Sequence, residues 1–315
     1  MSESLRLSVI IPCYNEEDII ATTYQRLMDV VEKNNYTNNY EVIFIDDGSK
    51  DGTLGFLESK AAENPNIKVL SFSRNFGHQP AVCAGICEST GDVAIIIDAD
   101  LQDPPELFPD IIAKYQETKA NVVYCVRQNR EGVGFLKKAA YKVFYRIVNY
   151  LSDVDLPLDS GDFRLIDKHV IDGFKQFREK NKYVRGIISW MGFSQTPFYY
   201  NRPGRAGGET KYSFAKLLRL ASIGMFYFSN KPLKLALNLG LVSILIGLTL
   251  TGVVIVEKIS GSLEEVPGWA SLIITIIFFG GVQLITVGVL GEYIGNIFDE
   301  VKDRPEYIIK KKINT

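Results

Sequence analysis

The sequence predicts an α/β fold, a mostly parallel sheet with helices on both faces, followed by two helices that cross a membrane. Three observations predict it. Short apolar runs alternate with helix-patterned stretches through the first part of the chain. One of those runs, within AIIIDADLQDPPE at 94–106, ends in two carboxylates followed by a proline pair. Near residue 233 the composition changes abruptly to long uncharged stretches.

The strand-like runs are Leu7–Ile11, Val42–Asp46, Lys68–Phe72, Val93–Asp98 and Val122–Val126. Helix starts stand between them. Asp51 can cap a helix over 52–63, and Asp103 with Pro104 and Glu106 resembles a capping box. Asp98 and Asp100 fall at the C-terminal end of a buried strand, the edge at which open α/β sheets bind ligands. Two carboxylates one residue apart can converge there on a hard divalent cation, which shares itself with substrate phosphates. That reading points to a nucleotide-activated substrate; the alternative is a solvated acidic turn.

The chain has 315 residues, 35 basic and 37 acidic, so its formal charge of −2 gives no polybasic surface for nucleic acid. Cys13, Cys83, Cys87 and Cys125 lack metal-ligand spacing and read as reduced core residues. With only His78 and His169, a histidine-rich metal site is disfavoured. The N-terminal apolar run is too short for a signal peptide and reads as a strand.

Residues 235–256 and 269–291 carry no charge, and each is long enough to cross a hydrocarbon core of about 30 Å. A net acidic loop joins them. Lys211, Lys216, Arg219, Lys231 and Lys234 precede the pair, and Lys302, Arg304 and Lys310 to Lys312 follow it. The positive-inside tendency puts both flanks in the cytoplasm, at the inner (plasma) membrane, with Trp269 at the opposite interface. Four segments result: a cytosolic domain over 1–212, an interfacial amphipathic helix over 213–232, a two-span hairpin over 233–293 and a cytosolic tail over 294–315. The tail, Glu306 to Lys312, has strand character and is expected to pair with a neighbouring subunit's sheet edge, making a homo-oligomer.

Four motifs lie at the strand ends in order: Val9-Ile-Ile-Pro-Cys-Tyr-Asn-Glu16, Ile45-Asp-Asp-Gly-Ser-Lys-Asp-Gly-Thr53, Arg74-Asn-Phe-Gly-His-Gln-Pro-Ala81 and Asp98-Ala-Asp100. Each alone is ordinary turn chemistry. Together they resemble the inverting nucleotide-sugar glycosyltransferases of family 2, with the Rossmann-like GT-A fold. The stretches SFSRNFGHQPAVCAG, DADLQDPPE, GDFRL at 161–165 and RAGGETKY at 205–212 look like the polyprenyl-phosphate branch. Within it the two C-terminal spans resemble the bactoprenol glucosyltransferases, relatives of dolichol-phosphate mannose synthase. The resemblance implies transfer of one sugar, with UDP-glucose favoured as donor, to a polyprenyl phosphate such as undecaprenyl phosphate. UDP-N-acetylglucosamine, UDP-amino-arabinose-type sugars and GDP-mannose stay open as donors.

Carried over residue by residue, the resemblance gives Pro12, Tyr14 and Glu16 to the nucleotide turn and Asp46 or Asp47 to the base edge. Asp98, Asp100 and Gln102 match the metal and diphosphate positions, for Mg²⁺ or Mn²⁺. Arg205 matches the basic residue of a glycine-rich loop that closes over the donor, ahead of Thr210 and Lys211.

The acceptor phosphate is anionic at neutral pH, so alignment and charge stabilisation matter more than a general base. Cations must then gather around it. Arg127 leads, for its bidentate geometry, followed by Arg130, Lys137 and Lys138, with Lys211 also a candidate. Asp159 or Asp162 can orient a sugar hydroxyl, assist deprotonation or merely cap a turn; Asp159 is the one assigned to catalysis. His78 shows no relay partner in the sequence and reads as a loop-fixing or donor-contacting residue. Two rival readings are a processive polysaccharide synthase, disfavoured because the segment around Lys182 and Arg185 lacks a Q-x-x-R-W signature, and a non-catalytic lipid-carrier module.

Overall fold

The structure, a computed structural model, describes residues 5–33, 39–127, 160–201, 229–260 and 269–315. These form two compact units: residues up to 127, 160–201 and the tail from Arg304 in the first, and 229–303 in the second. In the first unit β1 (Leu7–Cys13), α1 (Ile20–Lys33), β2 (Tyr40–Asp46), α2 (Thr53–Glu63), β3 (Ile67–Phe72), α3 (His78–Glu88) and β4 (Val93–Ile96) succeed one another. A 3-10 turn (Pro105–Leu107), α4 (Phe108–Thr118), β5 (Val122–Arg127), β6 (Ser160–Asp167), α5 (Lys168–Phe174), α6 (Val184–Trp190) and β7 (Gln195–Tyr200) follow. The last element of the chain, β8 (Ile309–Ile313), also belongs to this unit.

All five predicted strands form, in an eight-stranded sheet of order β7-β5-β6-β4-β1-β2-β3-β8. The β4-β1-β2-β3 block is parallel, whereas β6 enters antiparallel between β4 and β5, and β8 runs antiparallel along β3. Strands β1 and β2 are buried at every residue, as strands covered on both faces should be. Val9, Ile11, Val42 and Phe44 pack in one cluster with Leu27 of α1, Leu57 of α2 and Ile111 of α4. Helix α3 covers the other face so closely that a Cβ at Gly85 would lie 2.3 Å from Ile10 Cγ2.

Two local expectations need correction. Asp103 is not at the cap position, which Pro104 occupies; it is 1% exposed and serves as a buried counter-ion, while Glu106 pairs with Arg26 across 2.7 Å. Asp51 does bond the Thr53 N–H, at 3.1 Å, but the residue preceding α2 is Gly52. Of the cysteines, Cys87 is exposed and the other three are buried.

The tail also departs from expectation. Instead of seeking a neighbour's sheet, β8 pairs with β3 of its own chain, Val69 opposite Ile313 and Phe72 opposite Ile309. Tyr307 stacks on Phe72 with centroids 4.9 Å apart, and Lys311 pairs with Glu58 at 2.8 Å. The Asn314 amide donates to the carbonyls of Ala61 and Ile67 at 2.7 and 2.9 Å. The edge that an exposed strand would offer to another molecule is thereby covered from within.

The second unit contains α7 (Lys231–Ile259) and α8 (Trp269–Val301), of 29 and 33 residues. At 1.5 Å per residue these measure about 43 and 50 Å, more than the about 30 Å of a hydrocarbon core. None of the apolar windows Lys231–Val256 and Thr275–Val301 is buried. Leu237 is 65% exposed and Leu284 74%, which a helix in a soluble core would not allow. The protein is therefore membrane-associated. The hydroxyls of Thr249, Thr251 and Thr286 bond the carbonyl four residues back, so they bring no unmet donor into lipid. Helix α8 runs past the expected limit at 293 through Asp299 and Glu300, because hydropathy marks the lipid-facing part and not the helix end. The expected amphipathic helix over 213–232 lies, up to residue 228, outside the described residues.

Candidate active site

Beyond Ile10 and Ile96 the pairing of β1 with β4 ends, closed by a bond from Ile97 N–H to Ile10 O. Strand order reverses at this point, β2 and β3 lying to one side of β1 and β4 to the other. Such a switch point opens a crevice at the strand carboxyl ends. Pro12 fits this local geometry. It is buried within β1, opposite Ile45, and its missing N–H falls on the side where β4 has already left. Pro12 thus shapes the end of the strand, which corrects its expected place in the turn. Tyr14, 41% exposed, stands at the mouth.

Three loops at this edge are stitched together. Asn15 N–H donates to Ser49 Oγ at 3.0 Å, Lys50 N–H to Asn15 Oδ1 at 2.8 Å and Glu16 N–H to Thr53 Oγ1 at 2.9 Å. Asn15 takes a left-handed φ of 53° to do so. Gly48, at φ 71°, cannot carry a side chain: a Cβ there would meet the Arg74 carbonyl carbon at 2.5 Å. Both acids expected at the base edge take part in this stitching. Asp46 accepts from Ser49 N–H at 3.1 Å and Ser71 Oγ at 2.9 Å. Asp47 accepts from the N–H groups of Phe76 and Gly77 at 2.7 and 2.9 Å. Both are buried, so the structure shows them as loop anchors.

Asp98 and Asp100 both follow the end of β4, near enough for the charge of Asp100 to act on Asp98. Burial pushes the Asp98 carboxyl up to about 6, with His78 opposing and the charges of Asp162, Asp100 and Asp103 adding. Glu16 is raised as well, by burial and then by Asp100, Asp51 and Asp98. Asp100 Oδ1 accepts the Gln102 N–H at 3.0 Å, in a turn that drives Leu101 to a left-handed φ of 54°. Backbone strain of this kind concentrates at functional sites.

Asp98 Oδ1 is buried and accepts no hydrogen bond, its nearest charged neighbour being His78 Nε2 at 3.6 Å. That orphaned oxygen, beside a second carboxylate, fits a hard divalent cation. Among the described residues no group of three or more His, Cys, Asp or Glu could hold a metal by itself.

The sequence reading missed the partners of His78. Continuing the register of Ile96 with Arg164 brings Asp162, at the start of β6, beside Asp98. His78 Nε2 lies 3.2 Å from Asp162 Oδ2. Arg185 grips the same carboxylate through Nε at 2.7 Å and Nη2 at 3.1 Å. Burial opposes ionisation of Asp162, yet His78 and Arg185 outweigh it and hold the carboxyl far below its usual range. Burial likewise works against a charged His78, but the bond to Asp162 and the charge of Asp98 leave it raised. The only sequence signal was an acid two residues ahead of an arginine in GDFRL. Asp159, the alternative acid, lies outside the described residues.

Arg127 also has a different setting from the one expected. Its Nε donates to Tyr200 Oη at 3.1 Å and its Nη2 reaches Asp103 Oδ2 at 3.0 Å, while the Tyr200 hydroxyl donates to Asp103. The guanidinium is charge-compensated by Asp103 and bonded to Tyr200, a setting the sequence did not reveal. Arg130, Lys137, Lys138, Arg205 and Lys211 fall outside the described residues.

The family model described as glycosyl transferase family 2 matches residues 8–174, just over half of the chain. An uncharacterized glycosyltransferase of Bacillus subtilis, YkcC, is 45% identical over 99% of this chain and 95% of its own. The bactoprenol glucosyl transferase of Shigella phage SfII is 39% identical over 98% of both chains. Among solved structures, a mannosyltransferase from Pyrobaculum calidifontis in complex with GDP-Man and Mn²⁺ aligns at a TM-score of 0.48 and 17% identity, over 95% of this chain and 88% of that one. This protein, with its carboxylate pair at the sheet's switch point, belongs to glycosyl transferase family 2.

Proposed function

We propose that the protein transfers a single glucose, with inversion, from UDP-glucose to the phosphate of a membrane polyprenol such as undecaprenyl phosphate. The observation that carries this reading is the union in one chain of the Asp98–Asp100 pair at the sheet's switch point with two long apolar helices whose apolar windows are not buried. A soluble acceptor would not require the second feature. The bactoprenol acceptor named for the relative is a lipid, and its similarity extends through both helices.

In this reading Tyr14 offers an exposed ring for the base, and the stitched loops hold the crevice open in a fixed shape. Asp98 and Asp100 face the donor diphosphate with Mg²⁺ or Mn²⁺ between them. When bound, the cation would neutralise charge on the departing nucleotide. The lipid phosphate is its own anionic nucleophile, so the protein has only to align it with the sugar C1 and keep water away. Arg205 and Lys211 are the cations assigned to donor and acceptor from the loop before the spans, Arg130, Lys137 and Lys138 those assigned to the acceptor phosphate after β5.

The topology follows the same logic. Since β8 pairs with β3, the chain on either side of the hairpin belongs to one domain, and two crossings return it to its starting side. Lysines at 231, 234 and 302 on that side support a cytoplasmic placement by the positive-inside tendency. We therefore assign the soluble domain and both termini to the cytoplasmic face of the plasma membrane.

The test is a panel of nucleotide sugars with undecaprenyl phosphate and Mg²⁺ or Mn²⁺. UDP-glucose should support the fastest lipid-dependent release of UDP. Faster release from GDP-mannose, or release that ignores the lipid, would overturn the donor or the acceptor assignment respectively.

A further inference from the structure

We propose that Arg185 is a positioning residue for this reaction: by clamping Asp162 it fixes His78 against Asp98. The inference rests on the glycosyl-transfer reading above and adds a residue that lies outside the crevice itself.

Four groups form one line. Arg185 Nε and Nη2 take the two oxygens of Asp162 at 2.7 and 3.1 Å, Asp162 Oδ2 lies 3.2 Å from His78 Nε2, and His78 Nε2 lies 3.6 Å from Asp98 Oδ1. A two-pronged guanidinium contact fixes the plane of a carboxylate, which a single donor would leave free to rotate. The oxygen that meets His78 is thereby aimed, not merely charged.

A second bond holds the clamp in place. Val184 N–H, next in the chain to Arg185, donates to Gln79 Oε1 at 3.0 Å, and Gln79 follows His78. The first turns of α3 and α6 are thus joined twice, directly through Gln79 and Val184 and indirectly through Asp162, which bonds both His78 and Arg185. Without the clasp, Asp162 would be a loose carboxylate next to Asp98, 12% exposed and competing with it for the imidazole. Partners in the layer behind a reacting group commonly matter this way, and their loss costs about 10- to 100-fold in activity. The arrangement also gives Phe76-Gly-His-Gln-Pro and Tyr183-Val-Arg185 a shared purpose that neither motif reveals alone.

The experiment uses the full chain in detergent micelles, comparing wild type with Arg185→Ala and Arg185→Lys. Turnover of Arg185→Ala should fall about 10- to 100-fold while the KM for donor stays within about twofold. Added guanidinium should restore part of the lost rate. Arg185→Lys, which keeps charge but loses the fork, should fall between the two and carries the test if the alanine variant does not fold. Imidazole nitrogen NMR provides an independent readout, because the chain has only two histidines. The His78 signal should move in either variant, while that of exposed His169 stays. Wild-type-like turnover, or a His78 signal that does not move, would overturn the proposal. If wild type itself transfers no sugar, the functional reading fails, and the NMR comparison still judges the clamp.

Discussion

Asp98 is held between opposing influences that make it sensitive to pH. Burial and three neighbouring acids push its carboxyl up to about 6, with His78 pulling it back. Cation binding needs the ionised form, so turnover should fall as pH drops through about 6 when metal is limiting. More metal favours ionisation and should move that midpoint lower. Rate profiles at two metal concentrations check this; an acid limb that ignores metal would separate Asp98 from the cation. Asp100→Asn should lose more than the roughly 10- to 100-fold typical of a supporting residue, with thermal stability kept. Wild-type turnover in that variant would remove Asp100 from the site. At the opposite edge of the sheet Glu41 has a purely structural task. It accepts from Ser8 and Thr90 and pairs with Lys68 at 2.8 Å. Burial disfavours its charge, but these partners outweigh burial and lower its pKa. Its stabilisation is present above the unfolded value of about 4.3 and fades as pH falls through the lower folded value. Glu41→Gln should cost about 3 kcal/mol at neutral pH, read from thermal unfolding, and little at a pH where the wild-type carboxylate is already protonated.

Among the elements, β8 has the clearest consequence. Ending the chain after Asp303 would remove the strand, the Tyr307 stack and the Asn314 bonds, leaving β3 as an open edge. The truncated protein should melt earlier and self-associate, in a unit far from the deletion point along the chain. Unchanged melting would show that β8 contributes nothing. The elements also explain what the sequence could reveal. β1 to β5 were legible because each carries its own apolar run and turn chemistry, and in a parallel block their carboxyl ends must share one edge. That puts Asp98 and Asp100 just past the carboxyl end of β4. The partners of Asp98 were not legible, because β6 joins antiparallel and its register depends on strands far away in the chain. The partners of Arg127 were hidden for a related reason: its counter-ion Asp103 and its partner Tyr200 lie 24 and 73 residues off. Strand character in the tail was visible, but which edge it joins is decided by the tertiary fold.

For the molecule as a whole, the chain leaves one sheet, runs through two apolar helices and returns to the same sheet. A family 2 catalytic domain is in this way anchored by covalent chain on both sides of its hairpin, which suits an acceptor confined to a bilayer. The central claim is that the crevice delivers one sugar to a lipid phosphate. The most direct measurement supplies radiolabelled UDP-glucose, Mn²⁺ and undecaprenyl phosphate to the purified full-length protein, then weighs the lipid product by mass spectrometry. The account predicts label in the organic phase on a lipid heavier by a single hexose, with none formed by Asp100→Asn. Label that stays in water, or a lipid bearing a growing polymer, would contradict it.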